Sequence, residues 1–366
     1  MPRSLEQDPD VTMPAKDKRM PKNSVTLVDV AKHAGVALVT ASRALSGTGF
    51  VSDETRKKVA AAVNALGYSP NLSAKILKGG RPNLLGLAVS SLQSTVINEI
   101  IGAVSVAAKQ AGLDLIIYHA STELGAPKQH DINRVLGGLC EGILLVLPTA
   151  QEGLLAEFES SSVPVVLINY WRNETQLPTV RGDNYEGSRA AIEHLIGLGH
   201  SRIAFITGSS YTGQSQERQR GYQDALKQAG IRPLKSLVVT SDFTQSGGFE
   251  AARVLMAQPK PPTAIFAAND AMAFGVMDAL KEKGLHIPRD VSVVGFDDMP
   301  AANHSFPRLT TVRQPLAEIG AQAVRLVLQR IRATGSEGVA DRAPVELPST
   351  LVIRDSCGPA PEAYLG

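Results

Sequence analysis

Between residues 84 and 296 short apolar runs alternate with longer amphipathic stretches. The runs at 84–89, 114–119, 142–148, 163–169, 202–208, 237–241, 263–269 and 291–296 predict eight strands. The stretches ending at Gly112 and over 185–198, 221–230 and 272–284 predict helices, several of them closed by glycine. Strands separated by such helices form βαβ units with parallel sheets, and eight strands suit two lobes better than one small sheet. Residues 25–68 are patterned differently, as three short helices over 27–34, 38–45 and about 53–66. Gly35 turns the chain between the first two; Ser52 or Asp53 caps the third, Gly67 closes it and Pro70 marks the next boundary. The aromatics of this stretch are Phe50 and Tyr68 alone, so its core falls to residues such as Val30, Val36, Val59, Val63 and Leu66, and marginal stability is expected. Residues 71–79 permit a helix before Gly79, Gly80 and Pro82, but nine residues are too few to hold one in water without outside contacts.

Composition narrows the class. A chain of 366 residues with 43% hydrophobic and 20% charged residues is an ordinary multi-domain composition. No apolar run approaches the roughly eighteen residues of a membrane helix. Residues 1–24 carry Asp8, Asp10 and Asp17 and no apolar core, which argues against a secretory signal and for a disordered extension or a misassigned start on a protein expected in the cytoplasm. Cys140 and Cys357 are the only cysteines, so neither a disulfide framework nor a cysteine zinc site is expected. His194 and His200 flank a helix end without a carboxylate or cysteine at ligand spacing; favourable charge at a helix C-terminus is the plainer reading, and no metal site or cofactor is expected.

The net charge of +2 becomes informative when divided. Residues 1–82 hold 13 Lys and Arg against 7 Asp and Glu, net +6, and residues 83–366 hold 24 against 28, net −4. A basic head on an acidic body fits a polyanion partner, although a solvated basic linker gives the same count. Within the head, small Ala31 and Ala34 let two helices approach, Gly35 turns the chain, and Val36 and Leu45 fill the gap behind, which is the physical recipe of a helix-turn-helix.

Through Thr26, Asp29, Val30, Ala31, Ala34, Gly35, Val36, Thr40, Ser42, Arg43 and Leu45, and on through Gly67, Tyr68, Ser69, Pro70 and Asn71, this segment resembles the DNA-binding head of the lactose-repressor and galactose-repressor (LacI/GalR) family of bacterial transcription regulators. The resemblance implies a recognition helix over 38–45 with Leu38, Val39 and Arg43 facing bases. Arginine can donate two hydrogen bonds to guanine, whereas Leu and Val offer apolar contact, chiefly to thymine methyls; the alternative for Arg43 is a phosphate contact. Thr40, Ser42, Asn71, Lys32, Lys57, Lys58 and Lys78 are phosphate-contact candidates or a solvated face. Ala37 stands where the family usually has a capping Ser, and Ala41 where Val is usual. The 71–79 segment resembles the family's hinge helix, which folds when two subunits meet on DNA and insert a leucine into the minor groove; Leu77 is the matching residue and Ala74 its close-packed neighbour. Without the family, Leu77 is an apolar linker residue.

From about residue 84 to 356 the chain resembles the family's effector core, two lobes of doubly wound parallel sheets like those of periplasmic sugar-binding proteins. Marking segments begin at Asp183, His194, Arg218, Asn269, Gly295 and Leu309. The expected organisation is an extension over 1–24, a head over 25–69, hinge and linker over 70–82, one lobe from 83–182 plus 311–335, a second from 183–310 plus 341–356, and a flexible tail over 357–366. In parallel sheets ligands sit at the carboxyl ends of strands, which nominates Ser90, Ser91, Asn169, Asp270 and Asp297. The resemblance adds Arg218 as a ligand-holding arginine and Phe243 as an aromatic for a sugar's apolar face; Asp297 equally suits a loop-fixing role. Asp183 and Asn184 are read as helix caps.

The 92–97 stretch lacks the aromatic residues often found there in the family; Trp171, with Arg172, can rebuild that wall by stacking on a pyranose or can simply cover the core. A small-molecule effector, a sugar or sugar derivative, is therefore expected, with double-stranded operator DNA as the other partner. The 357–366 tail shows no leucine repeat, so a homodimer is expected rather than a tetramer. The competing classes are an exported sugar-binding receptor, which needs a signal peptide and no head, and a sugar-processing enzyme, for which no nucleophile motif, phosphate loop or cofactor fingerprint is present.

Overall fold

The computed structural model describes residues 25–47, 49–69, 82–120, 130–146, 154–171, 175–209, 212–333 and 343–361. They fall into a unit that ends at Arg81 and a second that begins at Pro82. The first contains helices α1 (Leu27–Ala34), α2 (Leu38–Ser46) and α3 (Asp53–Leu66). Thr26 and Asp29 start α1 with a reciprocal capping box: the Thr26 amide donates to Asp29 Oδ2 (2.8 Å) and the Asp29 amide to Thr26 Oγ1 (3.4 Å). Gly35 adopts φ 64°, the left-handed conformation that turns the chain into α2. Ala37 gives α2 no side-chain cap, whereas Ser52 accepts from the Thr55 amide at the start of α3. Val30, Ala31, Ala41, Val59 and Ala62 form the buried core, with Val36, Val63, Leu66 and Tyr68 partly buried around it. Leu45 differs from expectation: it is 40% exposed in the last turn of α2, although Ala41, one helical turn earlier on the same face, is fully buried. The expected extension over 1–24, and residues 70–81 of the expected hinge with Asn71, Ala74 and Leu77, lie outside the described residues.

The second unit holds two six-stranded sheets. The first is built from β1 (Leu84–Val89), β2 (Asp114–His119), β3 (Gly142–Val146), β4 (Val165–Ile168) and β5 (Thr179–Gly182), with α4 (Thr95–Gln110), α5 (His130–Gly137) and α6 (Leu154–Glu159) between them. The chain then crosses to the second sheet. There α7 (Asn184–Gly197), β6 (Ile203–Thr207), α8 (Gly213–Gln228), β7 (Val238–Thr240), α9 (Gln245–Met256), β8 (Ala264–Ala267), α10 (Asp270–Glu282), β9 (Ser292–Asp297) and β10 (Thr310–Arg313) follow. Helix α11 (Leu316–Ala333), β11 (Val345–Leu347) and β12 (Thr350–Val352) complete the chain order. The orders are β11-β5-β4-β3-β1-β2 and β12-β10-β9-β8-β6-β7, all parallel except the antiparallel β10–β12 pair. Doubly wound sheets of this kind leave the carboxyl ends of their strands as the place for a ligand.

The crossings correct the expected lobe boundaries. Residues 311–313 belong to β10, which pairs with β9 from Thr310↔Val294 in the second sheet; within 311–335 it is α11 that packs on the first lobe, against α4 and β3 to β5. Within 341–356, β11 pairs with β5 from Val345↔Val180 in the first sheet and only β12 joins the second. Each crossing strand is placed by the sheet edge that offers it a ladder, not by the lobe of its sequence neighbours. The expected flexible tail also begins too early. The Ala360 amide donates to the Leu198 carbonyl (2.9 Å) and Gly358 is bonded into the second lobe through His200 and Ser292. His200 is accordingly not a charged helix terminus. It is buried, with Nδ1 2.9 Å from Thr263 Oγ1 and Nε2 donating to the Gly358 carbonyl (3.0 Å), and burial pulls its pKa below the ordinary histidine value.

The lobes differ in their interiors. The first is filled by aliphatic residues such as Leu85, Leu87, Ile100, Leu144 and Val166. The second carries a row of rings, Tyr222–Phe205–Phe266–Phe296, with successive centroids 5.2, 5.1 and 6.5 Å apart. Among the described residues no helix is long and apolar enough to cross a membrane.

Candidate functional site

Two surfaces gather the residues singled out from the sequence. On α2, Leu38, Val39, Ser42 and Arg43 are exposed, Val39 and Arg43 on the face opposite buried Ala41, while Thr40 is half-buried. Leu38 and Val39 are 46% and 59% exposed. Two neighbouring apolar side chains in water at the start of a helix, beside an exposed guanidinium that has no ion pair among the described residues, form a surface suited to a groove offering both methyls and acceptors. Of the phosphate-contact candidates, Lys58 is held by Glu54 (2.8 Å) along α3.

In the second unit the carboxyl ends of β9 and β10 meet a buried polar cluster. Arg218, on α8, is its centre. Its Nε donates to Asn184 Oδ1 (2.7 Å), Nη1 donates to the Ala268 carbonyl, Nη2 lies 3.5 Å from Asp297 Oδ1, and the guanidinium rests 3.7 Å above the Phe296 ring. Asp297 Oδ1 also accepts from Gln314 Nε2 (2.6 Å). Asp270 accepts from the Thr311 hydroxyl (2.5 Å) and the Met299 amide (2.7 Å). Burial dominates the electrostatics: it brings the Arg218 guanidinium down to about 10 against the opposing pull of Asp297 and Asp270. It pushes Asp297 up to about 6 although Arg218 works the other way, and it raises Asp270 well above the carboxylate range, with the Asp297 charge adding to the rise.

The cluster thus brings together Arg218, Asp270 and Asp297 but closes Asp270 off. Asp270 is fully buried and both its oxygens are engaged within the protein, so it meets a ligand at this strand end only if the site rearranges. Phe243, with φ 67°, lays its ring on the backbone at the end of β6, where a Cβ on Gly208 would overlap it at 1.9 Å. Asn169, buried with φ 54°, accepts from the Gly182 amide through Oδ1 (3.3 Å). Ser91 stands apart, accepting from the Gln93 amide in the turn before α4. Trp171 is also outside the cluster, with the Arg181 guanidinium 3.9 Å from its ring centroid, so one face expected to receive a pyranose is covered by a cation that is itself 3.4 Å from Glu346.

Asn184 and Gln314 are the residues sequence reading missed. The cap of α7 is Asp183, which accepts from the Glu186 amide (2.9 Å), while Asn184 turns inward to hold Arg218 and the Gly182 carbonyl. The available signal was position: each is a polar residue at the carboxyl end of a short strand. A cavity of about 320 Å³ opens beside the cluster, bordered by Glu99, Asp297, Asp298, Arg313, Gln314 and Leu316. Its walls come from both lobes and its size lies at the lower end of small-molecule pockets. Asp298 there is held by Arg313 and Arg354, each at 2.6 Å. Among the described residues no group of His, Cys, Asp and Glu is placed to hold a metal ion.

Comparison with known proteins bears on both surfaces. Residues 26–71 match the model "Bacterial regulatory proteins, lacI family", and residues 192–357 match the periplasmic binding protein-like domain. The HTH-type transcriptional repressor PurR of Pasteurella multocida (strain Pm70) is 33% identical over 334 residues, 90% of this chain and 98% of that protein. Among solved structures, a lac repressor dimer bound to operator and the anti-inducer ONPF superposes with TM-score 0.80 at 30% identity, covering 91% of this chain and 99% of the other. A complex of the transcriptional regulator CelR with cellobiose gives TM-score 0.67 at 32% identity, covering 91% and 100%.

Proposed function

Because the chain belongs to the lacI family of bacterial regulatory proteins, DNA-binding transcriptional regulators built from a helix-turn-helix head and a periplasmic-binding-like core, we propose that it is a repressor of carbohydrate utilisation genes whose operator affinity is set by a sugar or sugar derivative held between the lobes. The observation that carries the DNA half is the exposed Leu38, Val39, Ser42 and Arg43 face of α2. The effector half rests on the polar cluster around Arg218 and Asp297 beside a two-lobed cavity, with Phe243 as the aromatic platform and Asn169 at the neighbouring strand end. The solved relative in complex with cellobiose supports a sugar. A second reading, a flat heterocyclic effector, is favoured by the same Phe243 ring, which stacks on a planar ligand as readily, and by the covered face of Trp171.

The protein works as a homodimer in the cytoplasm, where its operator lies, and carries no catalytic role. A face of the second lobe supports the dimer. Phe306 is 101% exposed beside a cavity of about 340 Å³ walled by Phe274, Met277 and Leu285, and Asp278 and Lys281 on its rim offer the paired charges that a two-fold contact can satisfy reciprocally. The hinge reading of residues 70–82, with Leu77 entering the minor groove, supplies the link: effector-driven movement of the lobes orders or releases the hinge and changes operator affinity by a coupling free energy. Thermal-shift and calorimetric titration of the full chain with a panel of neutral sugars and of planar heterocycles tests the effector. Stabilisation by a sugar, accompanied by a change in operator affinity, is expected; stabilisation by heterocycles alone selects the second reading.

A further inference from the structure

Trp171 follows β4 of the first lobe, and Gly213 is the first residue of α8 in the second. They touch backbone to backbone. A Cβ built on Gly213 would lie 2.3 Å from Trp171 Cβ, 3.2 Å from its Cα and 3.4 Å from its carbonyl carbon, so any side chain there collides with main chain and not with the movable end of a ring. Beside this contact the Gln214 side chain donates across the lobes to the Asn169 carbonyl (3.1 Å). None of the three segments that carry the chain between lobes passes through it; those run at 182–184, 313–316 and 347–350. The contact therefore persists only while the lobes hold this mutual orientation. It is also tied to the first crossing, because Asn169 accepts from the Gly182 amide and Arg181, one residue earlier, lies on the Trp171 ring.

We propose that Gly213 and Trp171 form a clasp between the two lobes that permits their closure, and that the indole of Trp171, the single tryptophan of the chain, reports whether the clasp is shut. The argument is steric. Gly213 does not use a left-handed φ, so alanine fits its backbone and is the better helix former, and Gly213→Ala is neutral or favourable for α8 taken alone. The three atoms nearest the added methyl all belong to Trp171, so what it opposes is the approach of the segment after β4. Interiors and interfaces of packed protein do not absorb an overlap of this depth by compression, so the lobes must separate. The proposal stands whatever the effector.

The test uses the full chain in three forms: wild type, Gly213→Ala, and Gly213→Ala combined with Trp171→Gly, which moves the glycine to the other side of the contact. Gly213→Ala is expected to shift the tryptophan emission to longer wavelength, to raise the acrylamide quenching constant, and to increase the radius of gyration in small-angle scattering, with the far-ultraviolet circular dichroism unchanged. The double variant is expected to return the scattering curve towards wild type. Unchanged emission and quenching in Gly213→Ala overturn the clasp. So does an emission shift without any change in scattering, because that marks repacking around the indole and not separation of the lobes.

Discussion

On α2 the side chains proposed to face bases, Leu38, Val39 and Arg43, are exposed, whereas in the effector core Asn184, Arg218, Asp270 and Asp297 are buried and bonded to one another or to neighbouring backbone. In the head, three of the five buried core residues are alanines, so little apolar area is buried there, and the face proposed to read DNA lies outside that core. In the core, the groups best placed to meet an effector also hold strand ends together: Arg218 ties α7 to the end of β8, and Asp297 joins α8 to the segment after β10. The difference teaches that recognition and folding can be separated by mutation in the head and are entangled in the cleft.

The entanglement has a large expected signature. Arg218→Met leaves Asp297 without its cation and Asn184 Oδ1 and the Ala268 carbonyl without a donor, and removing one partner of a buried pair costs about 3–5 kcal/mol. Chemical denaturation of the full chain should show that loss in the core transition. Arg43→Ala should do the reverse, leaving stability within about 0.5 kcal/mol. It should erode discrimination between operator and non-operator DNA by roughly 1–3 kcal/mol while retaining most salt-dependent non-specific binding. Titrations at several salt concentrations measure both quantities; a stability loss in Arg43→Ala comparable to that of Arg218→Met breaks the comparison.

Proton linkage sharpens it further. The folded state raises Asp297 to about 6 and Asp270 higher than an ordinary carboxylate, so the folded core binds their protons more tightly than the unfolded chain does. That contribution is fully present below the ordinary carboxylate pKa and is lost as pH rises through about 6. His200 acts oppositely: its lowered pKa favours the neutral ring, and its contribution is lost as pH falls below the ordinary histidine range. Because the two oppose, the clean measurement is the wild-type minus Asp297→Asn stability difference. It should move in favour of the wild type by slightly more than about 1 kcal/mol between pH 7 and pH 5. A flat difference sinks the buried-carboxylate assignment.

How much of this was legible follows the same division. The head was readable because helix periodicity, Gly35 and the cap positions are local signals, and exposure of a helix face follows from the burial of the opposite one. The eight apolar runs of the core were readable for the same reason. The strands β5, β10, β11 and β12 were not, because Thr179, Arg181, Thr310, Thr311, Arg313, Glu346 and Thr350 deny them an apolar run. Since those strands carry the crossings, the lobe boundaries were misplaced with them. Asn184 was hidden by an ambiguity of chemistry, because Asp-Asn before a helix satisfies the capping pattern twice and only burial decides which residue caps. Trp171 and Arg181 are ten residues apart in sequence, and their stacking depends on β4 and β5 pairing, which no local pattern encodes.

The smallest effect tests the thinness of the head directly. Ala37 begins α2 with extended backbone, φ −66° and ψ 148°, the conformation from which a serine hydroxyl accepts a first-turn amide, yet it offers no acceptor. Ala37→Ser supplies one without touching the buried core of Val30, Ala31, Ala41, Val59 and Ala62. It should stabilise the head by about 0.5–1 kcal/mol. Amide hydrogen exchange of the full chain reads this as slower exchange over α1 to α3, with β6, β8 and β9 of the core unchanged, because the two units are separate bodies. Slower exchange confined to the first turn of α2 would show that the cap forms without strengthening the three-helix core, and the head would then be limited by its alanine-filled interior and not by its uncapped helix.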